Sequence, residues 1–521
     1  MKKIAILTML AAMTASVNVG CQPADPYTVR TTKGLVNGFD EEGTMAFKGI
    51  PYAKAERFMP PVPADSWDTV MTCHEWGPQA MQGGRNSRNE KEMSENCCVL
   101  NVWTTDTKAK KPVMLWCHGG GFDSGTSAWN PGMGLAKKDV VVVSLNHRLN
   151  IIGFLDLSAT GNPKYKYSGN VGMMDVVAAL EWIRDNISAF GGDPDNVTVF
   201  GESGGGGKVG TLMCMPQAKG LFHKAIIMSG TILNVNSKAM TEELGLAVLK
   251  ELDIPVDKVE MINDVPYDRL YQAGQRALAA SIGTRTPGTP MMWGFGPTPD
   301  GEVLLQQPFQ PDFASISNDI PLVIGTTFNE LQRSSYGRPM TLDDAKAAVQ
   351  NTFGSETDAY AQAFAQAWPD YIPQDLPSVD MMFRAKTIIT ADAISATRNA
   401  PVYNYMFTWK SPSTGVSAHG AELNFCFNTL HHAGRDLPNP SKSDLRLADR
   451  MAQSWANFAH TGNPNVEGLP EWHLYTAQNG ECFIFGPECM IRNNFDRTLH
   501  EIINRHCFTK LDAFRASGSL K

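Results

Sequence analysis

No basic run interrupts this chain. Its 45 Lys and Arg and 53 Asp and Glu are dispersed, for a net charge of −8. Without a Lys/Arg-rich stripe, nucleic acid is not an expected partner. Beyond the N-terminus no stretch offers 18 uninterrupted apolar residues, so no membrane-spanning helix is expected. No Cys-x-x-Cys pair occurs among the ten cysteines, which removes the usual zinc knuckles and the thioredoxin-type redox motif. Neither a Ser/Gly-rich linker nor an internal repeat divides the chain. What is there is a 521-residue chain, 43% hydrophobic, enough for a large buried core.

The N-terminus has its own character. Met1-Lys2-Lys3 precedes an apolar run from Ile4 to Ala15, too short for a permanent bilayer span, and small residues follow at Ala15 and Ser16. Residues 1–20 read as an export signal. Gly20-Cys21 points to a lipid anchor at Cys21, while Asn18 stands where such a signal carries an apolar residue. A lipid-anchored and a soluble exported product both stay open: periplasmic, outer-membrane-bound or secreted. Export permits disulfides. Adjacent Cys97 and Cys98 would point to opposite faces of a strand, so at most one of them should share a given partner.

From about residue 26 onward, strand-like runs alternate with helical ones. Val113–Cys117, Val140–Leu145, Val197–Phe200, Lys224–Met228, Ile320–Gly325 and Val402–Trp409 read as strands. The unbroken β-branched run at 140–143 fits a parallel strand buried on both faces. Asp175–Ile187 has helical apolar spacing and stops at Phe190-Gly191-Gly192-Asp193-Pro194. This alternation predicts an α/β fold around a mostly parallel sheet, one domain over 26–517. Two helix-rich segments, 232–315 and 335–400, read as insertions forming a lid over the strand ends.

Sites in such sheets gather at the carboxyl ends of the strands. After Val197–Phe200 comes Gly201-Glu202-Ser203-Gly204-Gly205, a Gly-x-Ser-x-Gly turn that aims a hydroxyl out of the fold. After the 113–117 run comes His118-Gly119-Gly120-Gly121. After 320–324 comes Glu330, and past the 402–409 run comes His419. The order Ser, acid, His is the one this fold uses. Ser203 would be the nucleophile, His419 its base, and Glu330 the group that fixes the imidazole's tautomer. Backbone N–H groups of Gly120, Gly121 and Gly204 would hold the oxyanion. An unperturbed histidine base predicts loss of activity near pH ~6–7. This chemistry needs no metal or cofactor, only a small-molecule ester.

With these blocks in place, the chain from about Gly34 to its C-terminus resembles the type-B carboxylesterases of the α/β-hydrolase fold, the group of cholinesterases, liver-type carboxylesterases and bacterial p-nitrobenzyl-type esterases. Phe47–Ala53, Ser94–Cys97, Leu100–Trp103, Asn146–Leu149 and Phe190–Pro194 carry the likeness along with the site blocks. The resemblance implies a Cys73–Cys97 disulfide bordering the active-site gorge, with a contribution of roughly 3 kcal/mol. It implies structural ion pairs Arg57–Glu95 and Arg148–Asp175. Glu202 and Ser229 match groups near the catalytic histidine, with plain hydrogen-bond satisfaction as the alternative.

Departures narrow the reading. Gly204 stands where the family usually has Ala, which is expected to be harmless for a backbone donor. Ser87 stands where cholinesterases place a choline-binding Trp, which argues against a quaternary ammonium substrate. No cysteine lies between 215 and 425, so the family's second disulfide is absent, and the pairing of Cys482, Cys489 and Cys507 stays open. Amide or lactone cleavage by the same triad, and a catalytically dead neuroligin-like binder, are the rival functions; the latter typically lacks the nucleophile present here. Met291, Met292, Trp293, Phe295, Met381, Met382 and Phe383 read either as an apolar substrate pocket or as lid packing.

Overall fold

A computed structural model describes residues 25–507, except 84–92, 233, 285–293, 309–314, 332–339, 398 and 434–436. The expected export signal, Cys21, Ser87 and Met291–Trp293 lie outside the described residues, as does the side chain of Cys507.

One large sheet organises the chain. Its strands are β1 (Phe39–Glu41), β2 (Thr44–Pro51), β3 (Val99–Thr104), β4 (Lys111–Cys117), β5 (Val141–Leu145), β6 (Gly192–Glu202), β7 (Lys224–Met228), β8 (Leu322–Thr327), β9 (Val402–Phe407), β10 (Glu481–Phe485) and β11 (Met490–Asn493). They lie in the order β11-β10-β9-β8-β7-β6-β4-β5-β3-β2-β1. The block from β5 to β10 is parallel throughout. Antiparallel strands close both edges, as β3 pairs with β5 and β11 with β10. This is an α/β-hydrolase fold.

Two cores explain the apolar runs. In β4, Val113, Leu115 and Cys117 face one cluster, while Met114 and Trp116 face the other. The strand is therefore apolar at every position, because period-two alternation presents a buried face on both sides. On the first side packs α1 (Val171–Asn186), through Val176, Leu180 and Ile183. It starts four residues before the sequence pattern suggests and stops at Gly191, whose φ of +80° only glycine adopts readily. Strand β6 passes into α2 (Gly204–Leu212).

The first insertion supplies α3 (Lys238–Glu251) and α4 (Tyr267–Thr284), whose Leu244, Val248 and Leu270 share that same core. The second supplies α5 (Leu342–Phe353), α6 (Thr357–Ala367) and α7 (Arg384–Thr397). Phe353, Tyr360 and Phe364 form a third cluster with Ile502 and Ile503 near the C-terminus. On the sheet's far side α8 (Lys442–Thr461) buries Leu447, Met451, Trp455 and Phe458.

The Cys73–Cys97 disulfide is not formed; this corrects the expectation. Both thiols are free and buried. Cys73 packs in the main core, whereas Cys97 sits in a separate pocket with Ala80 and Leu149. Its neighbour is Cys98, with which it shares a side-chain hydrogen bond. Cys482 and Cys489 are also free.

What fastens this region is charge. Arg148 and Asp175, 1% and 0% exposed, pair through Nη2–Oδ1 at 2.6 Å and Nε–Oδ2 at 2.8 Å. The remaining Arg148 donor reaches Glu56 O and Met59 O, both at 2.7 Å. Arg57 pairs with Glu95 and also donates to the carbonyls of Asn263 and Val265, tying the N-terminal segment to the first insertion. Removing one partner of a fully buried pair strands the other charge, a loss of about 3–5 kcal/mol. Asp175→Ala should lower the unfolding free energy by that amount in a urea titration, whereas Lys54→Ala, whose exposed partner is Asp65, should change it by about 1 kcal/mol or less.

Candidate active site

Ser203 sits where β6 turns into α2, with φ +57° and ψ −125°. A non-glycine residue is strained there, and its surroundings must hold it. They do so through close backbone approach. A Cβ on Gly205 would lie 1.9 Å from Cys117 O, and one on Gly201 would lie 2.4 Å from the carbonyl carbon of Gly205. Ser203 N donates to Met228 O at 2.9 Å. The serine itself remains half-buried at the strand end.

Opposite it runs the glycine loop after β4. Gly120 and Gly121 have φ of +91° and +65°. Every carbonyl of the loop is engaged. His118 O and Gly121 O accept from Lys208 Nζ at 2.8 and 2.9 Å. Gly119 O bonds His118 Nδ1 at 2.8 Å, and Gly120 O accepts from Ser124 N at 3.0 Å. The N–H groups of Gly120, Gly121 and Gly204, by contrast, donate to no protein acceptor among the described residues. Gly204 bears directly on this loop: a Cβ there would lie 2.2 Å from Gly121 O and 2.4 Å from Gly121 N. The glycine is thus not a harmless stand-in for alanine, because the loop occupies the space a methyl group would need.

Glu330 and His419 meet through a short β-bridge that joins Glu330 to Ala418. Glu330 has φ +50°. Its Oε1 accepts from Thr327 N at 2.7 Å, and Oε2 bonds His419 Nδ1. That bond leaves Nε2 as the free ring nitrogen. Nε2 lies 3.2 Å from Glu202 Oε1, out of hydrogen-bond alignment, and makes no hydrogen bond to the Ser203 hydroxyl. Unligated sites commonly hold such contacts open.

The imidazole is ringed by carboxylates. Burial alone would lower its pKa, but the Glu330 bond and the charges of Glu202, Glu330 and Glu422 outweigh it and raise it to about 9. Glu202 is raised to about 7, chiefly by burial, with His419 opposing and Glu330 adding. Glu422 is fully buried and pushed well up by burial and then by Glu202 and Glu330. Ser229, at φ +46°, donates to it at 3.4 Å.

The contacts of three further residues escape the sequence, which marks Phe383 only as pocket or lid packing. Phe383 stacks on His419, centroids 5.0 Å apart and planes 21° from parallel. Asp380 places that ring, accepting from the backbone N–H groups of Met382 and Phe383 at 2.8 and 2.9 Å. Lys208 had one faint signal: it is the sole charged residue between Glu202 and Lys219. For metal ions, one group among the described residues has ligand-like spacing: Glu42, His431 and His432, within 4.8 Å of one another. It is exposed at the β1–β2 turn and has the Lys137 ammonium 3.9 Å from its carboxylate.

Comparison with known proteins fits this geometry. The Carboxylesterase family model matches residues 25–500. Para-nitrobenzyl esterase of Bacillus subtilis (strain 168) is 35% identical, covering 89% of this chain and 96% of its own. Liver carboxylesterase of Sus scrofa is 30% identical over 91% and 92%. Among solved structures, an esterase of Clostridium hathewayi able to hydrolyse aliphatic aromatic polyesters superposes with a TM-score of 0.82 at 34% identity, covering 92% of this chain and 98% of that one. The chain belongs to the carboxylesterase family and is a carboxylic ester hydrolase.

Proposed function

We propose that hydrolysis proceeds through an acyl-enzyme on Ser203. The observation that carries this reading is the strained serine facing a loop whose carbonyls are all engaged and whose N–H groups are unspent. Ser203 Oγ attacks the ester carbonyl and passes its proton to His419 Nε2. The carbonyl oxygen, now an anion, takes up the N–H groups of Gly120, Gly121 and Gly204. Collapse expels the alcohol, which leaves with the proton from His419. Water then repeats the sequence and frees the acid. Glu330 keeps the Nδ1–H tautomer and stabilises the imidazolium formed at each step. Donors fixed in advance need no reorganisation as charge develops.

Ser203→Ala should lose roughly 10⁶-fold in kcat and Glu330→Gln about 10⁴-fold, each folded as judged by circular dichroism. A fluorophosphonate probe should label the wild type and spare Ser203→Ala; equal labelling of both would sink the assignment.

The pH profile should depart from that of an ordinary histidine. A base works only when deprotonated, so activity must fall as pH drops through the His419 pKa. With that value raised to about 9, the acid limb of kcat/KM belongs above pH ~6.5. Glu202→Gln removes an anion 3.2 Å from Nε2 and should move the limb to lower pH. A wild-type limb at pH 6 or below would contradict the carboxylate ring. Stability carries the opposite sign: the raised pKa contributes stability that is full below the unfolded value and is lost as pH rises through about 9.

A further inference from the structure

Lys208 has no counter-ion among the described residues, although its side chain is completely buried. An isolated ammonium in an apolar interior is expensive, and such groups persist where their hydrogen bonds are satisfied. The titratable groups facing Nζ are Cys117, His118 and His147, and the Phe122 ring lies 5.6 Å from it. Burial lowers the pKa of both histidines, and Lys208 adds to the effect. The two rings stack 5.4 Å apart, each giving Nδ1 to a backbone carbonyl. Neither is a counter-charge. Burial lowers the lysine itself to about 7, and in either protonation state it keeps hydrogens to donate.

Its two bonds bracket the glycine loop. His118 O begins the stretch and Gly121 O ends it, with the N–H groups of Gly120 and Gly121 between them. Three successive glycines have more backbone freedom than any other tripeptide, so their direction must be imposed from outside. The aliphatic stem of Lys208 rises from the second turn of α2, the helix that begins one residue after Ser203. One side chain thus refers the loop to the nucleophile's own helix. Gly204 completes the seat, since its missing Cβ is what lets Gly121 come within reach.

We propose that Lys208 is a positioning residue for ester hydrolysis, a buried clip that holds the Gly119–Gly121 loop in its oxyanion-binding conformation. The proposal rests on the acyl-enzyme reading above. A donor lost from an oxyanion site lowers kcat by about 10²–10³-fold, and a loop free to rotate loses its donors for most of the time. Lys208→Met keeps the stem's volume and removes the donors. Its kcat should fall about 10²-fold with KM changed by less than about threefold, and its affinity for a trifluoromethyl ketone should weaken by the same factor as kcat/KM.

A purely structural lysine predicts something else: a lowered melting temperature with normal kcat per folded molecule, which would overturn the proposal. If Lys208→Met does not fold, Gly204→Ala decides, since its methyl group displaces Gly121 from the clip. A folded Gly204→Ala with wild-type kcat and ketone affinity would overturn the proposal; loss of both would support it. Ser203→Ala separates the two readings. If it is inactive while Lys208→Met is fully active, the clip fails and the acyl-enzyme stands; if it retains activity, the acyl-enzyme reading itself fails.

Discussion

Two pieces of backbone lie closer here than side chains would allow, and the site depends on that approach. Strands β4 and β6 are adjacent and parallel, with Cys117 opposite Gly201. The peptides that follow them therefore emerge side by side: the glycine loop from one, the serine turn from the other. Gly205 against Cys117 and Gly204 against Gly121 leave no room for a methyl group. Ser203 and the N–H groups of Gly120, Gly121 and Gly204 are then related by main-chain geometry. Strand β5 lies between the two in sequence but outside them in the sheet.

Electrostatics builds on that frame. Five groups near the imidazole are acids or pair with acids: Glu202, Glu330, Glu422, Ser229 and Asp380. Burial and mutual repulsion push Glu202 and Asp380 to about 7 and raise Glu422 well above the usual carboxylate range. Such a set shares protons, so its titration belongs to the group and not to one residue. The carboxylates around His419 favour its imidazolium form.

Much of this was legible in the residues. The runs at 113–117 and 224–228 identify themselves because strands buried on both faces are apolar throughout. Ser203, Glu330 and His419 stand out because strand ends are where chemistry collects. Other features were hidden for physical reasons. The strand Glu481–Phe485 follows a long loop, and its short Cys-Phe-Ile-Phe core resembles any buried segment. The family resemblance implied a Cys73–Cys97 crosslink, whereas both thiols are free and pack in different clusters. Lys208 and Phe383 act through contacts across 87 and 36 residues of sequence, respectively, and no local pattern marks those.

The stacking of Phe383 on His419 has a consequence for how such an enzyme can change. Phe383 enters from the second insertion, and its backbone is pinned by Asp380. The next residue, Arg384, is anchored in turn to Asp496 at 2.8 Å and to Asn404 at 2.7 Å. The second insertion therefore seats the His419 ring. Remodelling that insertion would shift the footing of the His419 ring as well, so the two change together.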